Sequence, residues 1–505
     1  MKALLLHPDR TFDISPPLPW NAPDLTKDLE LETLLLGMAG SDPFLLDVAR
    51  RVLLSGLQND LRTILHRQQA LKDSLNEPAQ VRTLYDLAVE TLERTKRQGW
   101  GMTSHYPSSM LYSAVELLEH LLGSLRRVRE FASSRRDKFA SPAFRTLFDM
   151  LRTELADNYL ATIEEHLAAL KFRRGVLLSA ELGEYNESTN YVLREVHDKP
   201  PNWFMRLFGS RSSPDTFYLD ERDEAGAQIL SEMRYRGISR VAVALAQSAD
   251  HVMSFFKTLR TEMAFYVGCI NLHERLTAQG EPVCFPTPRS PVAPHHHFEG
   301  LYDVCLSLQV GRRVVGNAAD LTGKSLVLIT GANQGGKSTF LRSLGTAQLM
   351  MQSGMFVGAE TFEAPFCPAL FTHYKREEEA SMKFGKLDEE LARMSAIVDH
   401  LVPHSVVLLN ESFAATNERE GSEIAGQIVT ALLDRRVRVI FVTHLYKFAR
   451  GCVERGSKSA LFLRAERQKD GTRTFRLFEG EPLDTSYGED LYREIFSSGE
   501  IPKLS

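Results

Sequence analysis

One segment of the chain constrains its fold more than any other, the run LVLITGANQGGKSTFLRSL at residues 326–344. An apolar stretch typical of a buried strand enters a glycine-rich loop, and a helical pattern follows at once. Gly331, four further residues and then Gly336-Lys337-Ser338 fit the phosphate-loop pattern, in which backbone N–H groups surround the phosphates of a nucleotide. This spacing predicts that Lys337 bridges the β- and γ-phosphates and that Ser338 holds Mg²⁺. The chain is therefore predicted to bind a nucleotide.

Length, charge and cysteine content narrow the class of protein. At 505 residues the chain is too long for one compact core, so two or more domains are expected. The net charge of −5 gives no overall sign of nucleic-acid binding, so any DNA contact must use local basic patches. The five scattered cysteines form no CxxC pair, and neither a signal peptide nor an apolar run of transmembrane length is found. We expect a soluble cytoplasmic protein without membrane association.

The first 300 residues carry a mostly helical pattern. From about Leu29 to Leu276, apolar residues recur every three or four positions, as in amphipathic helices. Within a candidate clamp-like excursion at about 180–245, the segment 202–213 mixes aromatic and arginine side chains, which suits either nucleic-acid contact or a locally packed loop. Prolines cluster in 278–310, where we expect a linker or irregular crossing and the domain boundary.

Two basic runs in the helical region are further candidates for phosphate contact. They are Arg126-Arg127-Val128-Arg129 and Arg135-Arg136-Asp137-Lys138. Basic clusters of this kind bind nucleic-acid backbones, but they are also typical of solvated helix faces. The sequence favours the solvated face and leaves phosphate contact as the alternative.

Two strand-end motifs accompany the phosphate loop. The apolar run 405–409 ends in Asn410-Glu411, and His444 closely follows the run 437–442. Because ligands of open α/β sheets bind at the carboxyl ends of strands, these polar residues are expected beside the phosphates. Glu411 is the candidate general base for the water that attacks the γ-phosphate, and His444 is the candidate sensor of that phosphate. Together with the phosphate loop, they predict a hydrolysing ATPase.

The segment TGANQGGKSTFLRSLGTAQLMMQSGMFVGAE, residues 330–360, resembles the ATPase domain of the MutS family of DNA mismatch-repair proteins. The likeness rests on the Asn-x-Gly-Gly-Lys-Ser-Thr loop and on the Gly-x-Phe-Val-x-Ala sequence that closes the following helix. It continues through 371–390, 408–425, 443–444 and 486–488. The upstream helices are more weakly similar to the helical core and lever of that family.

The resemblance implies a multidomain fold. An all-α helical core and lever would occupy residues 1–300, and an α/β P-loop ATPase domain of the ABC type, with a dimerising C-terminal segment, would occupy 301–505. It also implies ATP and Mg²⁺ as cofactors and a homodimer formed through paired ATPase domains. The residues implied to hold phosphate and metal are Gly331, Asn333, Gly335, Gly336, Lys337, Ser338 and Thr339, with Asn410 reaching Mg²⁺ through water. Val314 and Asn317 match positions that flank the adenine, where the aromatic residue usual in the family is absent.

Two departures from the family pattern bear on catalysis. The family carries an Asp where this chain has Asn410, and the loss of that charge predicts slow hydrolysis, since such losses typically cost about 10- to 100-fold. The serine that the family presents to the partner's γ-phosphate matches Gly385, so its hydroxyl is missing. The backbone N–H of Gly385 or the ammonium group of Lys386 could substitute for it.

Family members that sense mismatches carry an N-terminal module with a Phe-x-Glu wedge and a connector. Because the helical core begins near residue 29 and the chain ends soon after residue 488, neither these modules nor a C-terminal nuclease module is expected. The leading hypothesis is a dimeric, ATP-controlled clamp on duplex or branched DNA, acting in DNA repair or recombination rather than in direct mismatch reading. The alternative is an ATP-gated protein-interaction switch with weak or no hydrolysis and no role on DNA.

Overall fold

The computed structural model describes residues 1–97, 107–173, 175–184, 188–194, 218, 220, 222–376, 385–468 and 473–483. Its packing forms two compact units, which combine distant parts of the chain. One unit comprises residues 1–3, 82–139 and 145–260, and the other comprises 4–81, 140–144 and 261–505. The predicted domain boundary near residue 300 divides the chain along its sequence, whereas these two units are defined by packing. The boundary therefore stays a prediction. The segments 202–213 and 486–488 lie outside the described residues.

Helices dominate the first 300 residues, as the periodicity predicts. They are α1 (Ala22–Asp28), α2 (Leu31–Ala39), α3 (Pro43–Ser55), α4 (Leu61–Asn76), α5 (Pro78–Arg97), α6 (Pro107–Arg135), α7 (Pro142–Glu154), α8 (Asp157–Ala169) and α9 (Glu224–Ala278), with 3₁₀ turns at Gly56–Gln58 and Arg136–Lys138. In the described part of the chain, no helix is long and apolar enough to cross a bilayer.

The prediction of an all-α region at residues 1–300 is wrong at a hairpin and at two short strands near its C-terminal end, Thr287–Arg289 and His297–Leu301. Strands β1 (Leu177–Leu182) and β2 (Ser188–Arg194) form an antiparallel hairpin within the predicted clamp-like excursion. Tyr191 and Val192 favour extended backbone because aromatic and β-branched side chains pack well on a pleated strand. A run of seven or fewer residues is too short for helical periodicity to exclude a strand.

The C-terminal part is α/β. Its helices are α10 (Val304–Val310), α11 (Lys337–Gln352), α12 (Lys386–Asp399), α13 (Glu418–Asp434) and α14 (Tyr446–Glu454). Its strands are β3 (Thr287–Arg289), β4 (His297–Leu301), β5 (Asn317–Asp320), β6 (Leu326–Thr330), β7 (Thr361–Pro365), β8 (Leu370–Tyr374), β9 (Val406–Asn410), β10 (Arg438–Val442), β11 (Ala460–Arg467) and β12 (Arg473–Glu479). The proline-rich stretch 278–310, where a linker or irregular crossing was expected, thus contains β3, β4 and α10.

Two sheets organise this part. A six-stranded sheet has the order β12-β11-β6-β10-β9-β8, and a four-stranded sheet has the order β3-β7-β4-β5. In the larger sheet, β8, β9, β10, β6 and β11 run parallel, and β12 pairs antiparallel with β11. Parallel sheets are covered by helices on both faces, and their strands are continuously apolar.

The core of the larger sheet explains where the site lies. Leu328, Leu409 and Phe441, from β6, β9 and β10, are fully buried and pack in one cluster with Val429 and Leu432 of α13. Because β6, β9 and β10 are parallel neighbours, their carboxyl ends lie at the same edge of the sheet. The loops that follow these strands therefore meet at that edge.

Candidate functional site

The glycine-rich loop joins β6 to α11 in the predicted strand–loop–helix order. Gly331 has φ 115° and Gly336 has φ 85°, a region that side chains rarely tolerate. A Cβ at Gly331 would lie 3.0 Å from the backbone nitrogen of Ala465 on β11, so the neighbouring strand also requires glycine there. The Lys337 ammonium group donates to the carbonyl oxygens of Gly331 at 3.1 Å and Ala332 at 2.8 Å. The lysine is thus folded back over the loop.

The electrostatic surroundings of Lys337 favour the arrival of an anion. The residue is 5% exposed, and burial lowers the pKa of its ammonium group from 10.5 to about 8. The Glu411 carboxylate opposes this change, and the Arg473 guanidinium adds to it. The positive charge is therefore incompletely compensated, and a phosphate group beside it would restore that compensation.

The metal-binding residues implied by the family resemblance lie together. Ser338, in the first turn of α11, donates its hydroxyl hydrogen to Oδ1 of Asn410 at 2.9 Å. Asn410 is the last residue of β9, so the two neighbouring loops place a hydroxyl and an amide oxygen side by side. Both are oxygen ligands of the type that Mg²⁺ and its water shell accept. The donor set therefore fits Mg²⁺, and its role there stays a prediction.

Glu411 and His444 form a pair. Nε2 of His444 lies 3.3 Å from Oε1 of Glu411, and each side chain is about one-third exposed, at 30% and 33% respectively. The hydrogen bond from His444 lowers the pKa of Glu411 below its ordinary value, and the positive charges of Lys375 and Lys337 add to that effect against the opposing effect of burial. Glu411 is therefore a carboxylate at neutral pH, as a general base must be.

A cavity of about 430 Å³ lies beside these groups. This volume falls in the range typical of small-molecule sites. The predicted residues that line it are Val314, Asn317, Asn333, Gly335, Gly336, Lys337, Ser338, Thr339 and Glu411. Gly331, Asn410 and His444 are not among the described lining residues; they contact the lining residues Lys337, Ser338 and Glu411. The sequence thus identified nine of the residues that line the cavity and three more that contact them.

The lining also includes an aromatic residue that the sequence did not indicate. Phe475 of β12 lines the cavity with Val314, and a Cβ on Gly336 would lie 3.5 Å from the Cβ of Phe475. Its φ of 59° is unusual for a non-glycine residue. An aromatic residue in the second strand after His444 was the available signal. Its position depends on strand pairing, however, which residue spacing alone does not reveal.

Asn317 contacts β12 through both polar atoms of its amide. Its Nδ2 donates to the carbonyl of Phe475 at 3.3 Å, and its Oδ1 accepts from the N–H of Leu477 at 2.8 Å. The amide therefore holds β12 beside the cavity. The expectation that Asn317 flanks the adenine stays a prediction, and the contacts show that it also positions Phe475.

Gly385 and Lys386 lie at the start of α12, where Gly385 is the N-cap residue. Neither is among the described residues that line the cavity. Glu390, one turn further along the helix, is only 4% exposed and accepts the backbone N–H of Phe413 at 2.9 Å. This part of α12 therefore contacts the loop that carries Glu411.

Four of the six basic residues in the two runs have a described carboxylate partner. Arg126 lies 2.6 Å from Glu164, Arg127 lies 2.8 Å from Glu90, and Arg129 pairs with Asp157. Arg136 pairs with Asp149 at 2.6 Å. Ion pairs of this kind neutralise a surface, so these arginines form mixed-charge helix faces rather than an uncompensated basic patch.

Comparison with known protein families assigns both parts of the chain. Residues 59–279 match the family model of the MutS2 N-terminal domain, and residues 327–496 match that of MutS domain V. The chain belongs to the MutS family. The second match contains the glycine-rich loop, Asn410-Glu411 and His444, whereas Val314 and Asn317 of the cavity precede it.

Curated relatives agree with this assignment. Endonuclease MutS2 of Thermus thermophilus is 33% identical over 120 residues, which are 24% of this chain and 16% of that protein. The DNA mismatch repair protein MutS of Streptococcus equi is 31% identical over 175 residues, or 34% of this chain and 20% of the relative. The MutS protein of Synechocystis is 25% identical over 283 residues, or 52% of this chain and 31% of the relative. The chain thus spans less than a third of the length of these MutS-family relatives.

Proposed function

We propose that this MutS-family chain is an ATPase with a P-loop ATPase fold at residues 301–505 and a helical core and lever at residues 1–300. One observation carries the proposal: the Lys337 loop, the Ser338–Asn410 contact and the Glu411–His444 pair all lie at the edge where β6, β9 and β10 end. This arrangement combines anion binding, a hydroxyl for Mg²⁺ and a carboxylate base around one cavity.

ATP binding is assigned to the residues that line the cavity. Val314 and Phe475 would hold the adenine between an aliphatic and an aromatic side chain. Lys337 would leave the carbonyl oxygens of the loop and contact the phosphates, since its ammonium group gains a counter-charge there. The chemistry that Mg²⁺ would supply when bound is neutralisation of the phosphate charge. Ser338 and Asn410 are the residues placed to hold that ion.

Hydrolysis is assigned to Glu411. Its carboxylate faces the cavity and remains ionised at neutral pH, because His444 donates to it. It can therefore accept the proton of a water molecule that attacks the γ-phosphate. Asn410 supplies an acceptor without a negative charge, which supports slow turnover.

The wider role is inferred from the family. Relatives are named DNA mismatch repair protein MutS and Endonuclease MutS2, which supports a role on DNA in repair or recombination. We propose a homodimer that pairs ATPase domains and closes helical arms around duplex or branched DNA under ATP control. Because Arg126, Arg127, Arg129 and Arg136 are ion-paired, we assign the proposed DNA contacts to other residues.

An ATP-gated protein-interaction switch is the second candidate. The net charge of −5, the ion-paired basic runs and the uncharged Asn410 favour it. In this case nucleotide occupancy changes contacts with a protein partner, and DNA has no effect.

Steady-state ATP hydrolysis separates the two candidates. The purified protein is assayed alone and with homoduplex, mismatched, four-way-junction and single-stranded DNA at physiological salt, with Glu411→Ala as the inactive control. Stimulation by one DNA form supports the clamp and identifies its substrate. Turnover that no DNA form alters supports the protein-interaction switch, and undetectable wild-type turnover overturns the assignment as an ATPase.

A further inference from the structure

The residues that surround Glu411 include a buried polar cluster with no assigned role. It consists of His373 on β8, Ser412 and Phe413 after β9, and Glu390 on α12. His373, Ser412 and Phe413 are fully buried, and Glu390 is 4% exposed. Buried polar groups are costly unless their partners are fixed, so a cluster of this kind holds its members in one arrangement.

The backbone around Glu411 requires such support. Glu411 has φ 53° and Phe413 has φ 64°, so two side-chain-bearing residues adopt the left-handed region on either side of Ser412. Non-glycine residues adopt that region only where surrounding contacts hold them there. The backbone N–H of Glu411 donates to the carbonyl of Val442 at 2.8 Å, which anchors the loop on its β10 side.

The cluster anchors the other side of the loop. Nδ1 of His373 lies 2.7 Å from the hydroxyl oxygen of Ser412, and that hydroxyl also lies 2.6 Å from the carbonyl oxygen of His373. The imidazole ring stacks on the Phe413 ring at a centroid distance of 5.4 Å and an interplanar angle of 21°. The N–H of Phe413 donates to the carboxylate of Glu390 at 2.9 Å. Both residues after Glu411 are therefore held by β8 and α12.

The chemistry of the partners decides the tautomer of His373. Its Nε2 faces the carbonyl oxygen of Glu390 at 2.9 Å, and a carbonyl only accepts, so Nε2 carries the hydrogen. Burial lowers the pKa of His373 to about 4, so the ring is neutral and Nδ1 is an acceptor. The Ser412 hydroxyl has one hydrogen, which it donates to the carbonyl oxygen of His373 at 2.6 Å, with Nδ1 at 2.7 Å as a second acceptor beside it. His373 thus connects the backbone of α12 to the residue beside Glu411.

We propose that His373 and Ser412 are positioning residues for Glu411: their hydrogen bond, continued to Glu390, sets the conformation of the loop that aims the Glu411 carboxylate into the nucleotide cavity. This inference rests on the proposed ATPase function. The cluster does not line the cavity among the described residues, so it acts on the orientation of the base and not on nucleotide affinity. Small displacements of a catalytic group are sufficient to slow a reaction by about 100-fold.

The test uses two substitutions that share the loss of one contact, the one between the Ser412 hydroxyl and Nδ1 of His373. Ser412→Ala removes the hydroxyl and also its bond to the carbonyl oxygen of His373. His373→Gln can keep a donor near the position of Nε2, so it retains the Glu390 contact and the backbone carbonyl, and loses Nδ1 and the ring stacking on Phe413. Ser422→Ala is the matched control, because Ser422 is a buried serine of α13 whose hydroxyl has no hydrogen-bond partner among the described residues. The readouts are the single-turnover rate of ATP hydrolysis, the affinity for a non-hydrolysable ATP analogue, and the melting temperature.

We expect Ser412→Ala and His373→Gln each to lower the single-turnover rate by about tenfold with less than a twofold change in analogue affinity. The loss of rate in the double variant should be much smaller than the product of the two single losses, because both substitutions remove the contact between Ser412 and Nδ1 of His373. Ser422→Ala should hydrolyse ATP at the wild-type rate.

Three results would overturn the inference while leaving the ATPase function in place. These are wild-type rates in both cluster variants, equal losses of rate and affinity, and multiplicative losses in the double variant. A cluster variant that loses both its fold and its activity counts against a positioning role for that residue. His373→Asn, whose side-chain oxygen can accept from Ser412, is then the rescue test. If wild-type protein fails to hydrolyse ATP, or Glu411→Ala hydrolyses it normally, the proposed function itself fails, and the inference fails with it.

Discussion

The buried ammonium group of Lys337 predicts that nucleotide binding takes up a proton at alkaline pH. In the nucleotide-free protein its pKa is about 8 rather than 10.5, because burial disfavours the charged form. The difference corresponds to roughly 3 kcal/mol of interaction that a bound phosphate can supply. With phosphate beside it, the ammonium group should return to its ordinary pKa or above.

The magnitude follows from these two values. At pH 9, about one-tenth of the free protein carries a proton on Lys337, whereas nearly all of the bound protein does, so binding should take up about 0.9 proton per nucleotide. At pH 7 the lysine is already mostly protonated, and the uptake should fall to about 0.1. Glu411 does not contribute at either pH, because its pKa is lowered and it remains ionised.

Isothermal titration calorimetry measures this uptake directly. A non-hydrolysable ATP analogue with Mg²⁺ is titrated at pH 9 in two buffers of different ionisation enthalpy, and the change in observed enthalpy gives the protons bound. By linkage, analogue affinity should also fall by nearly tenfold per pH unit above pH 8. The Lys337→Arg variant is the control, since a guanidinium group stays protonated across this range and should show no uptake.

An uptake below about 0.3 proton at pH 9 would refute the reasoning, because Lys337 would then be charged before the nucleotide arrives. The same pKa has a consequence for stability. Its value in the folded protein lies below 10.5, so the unfolded state binds more protons between pH 8 and 10.5, and the contribution of Lys337 to the free energy of unfolding should rise across that window.

Four further substitutions test the site and its support. Glu411→Ala should retain ATP and lower turnover at least about 100-fold, measured as phosphate release, because the base is lost. Asn410→Asp should raise turnover by about tenfold by restoring a negative charge near Mg²⁺. Phe475→Ala should weaken analogue binding by about tenfold in a fluorescence titration, since aromatic contact with the base is lost. Glu262→Ala should lower the free energy of unfolding by roughly 2–4 kcal/mol in urea, because the carboxylate accepts three backbone N–H groups of the segment 5–12.

Each of these predictions has a matched control. Glu411→Gln should block turnover as fully as Ala, since an amide cannot accept the proton. Unchanged turnover in Asn410→Asp would show that charge does not limit the reaction. Phe475→Tyr should keep wild-type affinity, and equal affinity in Phe475→Ala would remove Phe475 from the nucleotide site. Glu262→Gln keeps an acceptor and should be destabilised less than Glu262→Ala, so equal losses would argue against the N–H contacts as the cause.

Local sequence patterns were sufficient to locate much of the candidate site. The strand, loop and helix around Lys337 follow one another along the chain, and their chemistry depends on adjacent residues. Asn410, Glu411 and His444 are found near the loop because parallel strands end at the same edge of a sheet, a rule that applies once the strands are identified. The same local patterns carry the resemblance to the MutS family, which the family matches bear out.

Tertiary structure alone decided the contacts between distant residues. Phe475 reaches the cavity because β12 pairs with β11 and because Asn317, 158 residues away, binds its carbonyl oxygen. Glu390 accepts the backbone N–H of Phe413, and His373 contacts the hydroxyl of Ser412, so both support the loop after Glu411. Hydrophobic periodicity reveals neither contact. Strand register and helix packing set these distances, and they depend on the burial of the whole chain. Residue types and spacing therefore determined which chemistry is present, and packing determined which groups hold it in position.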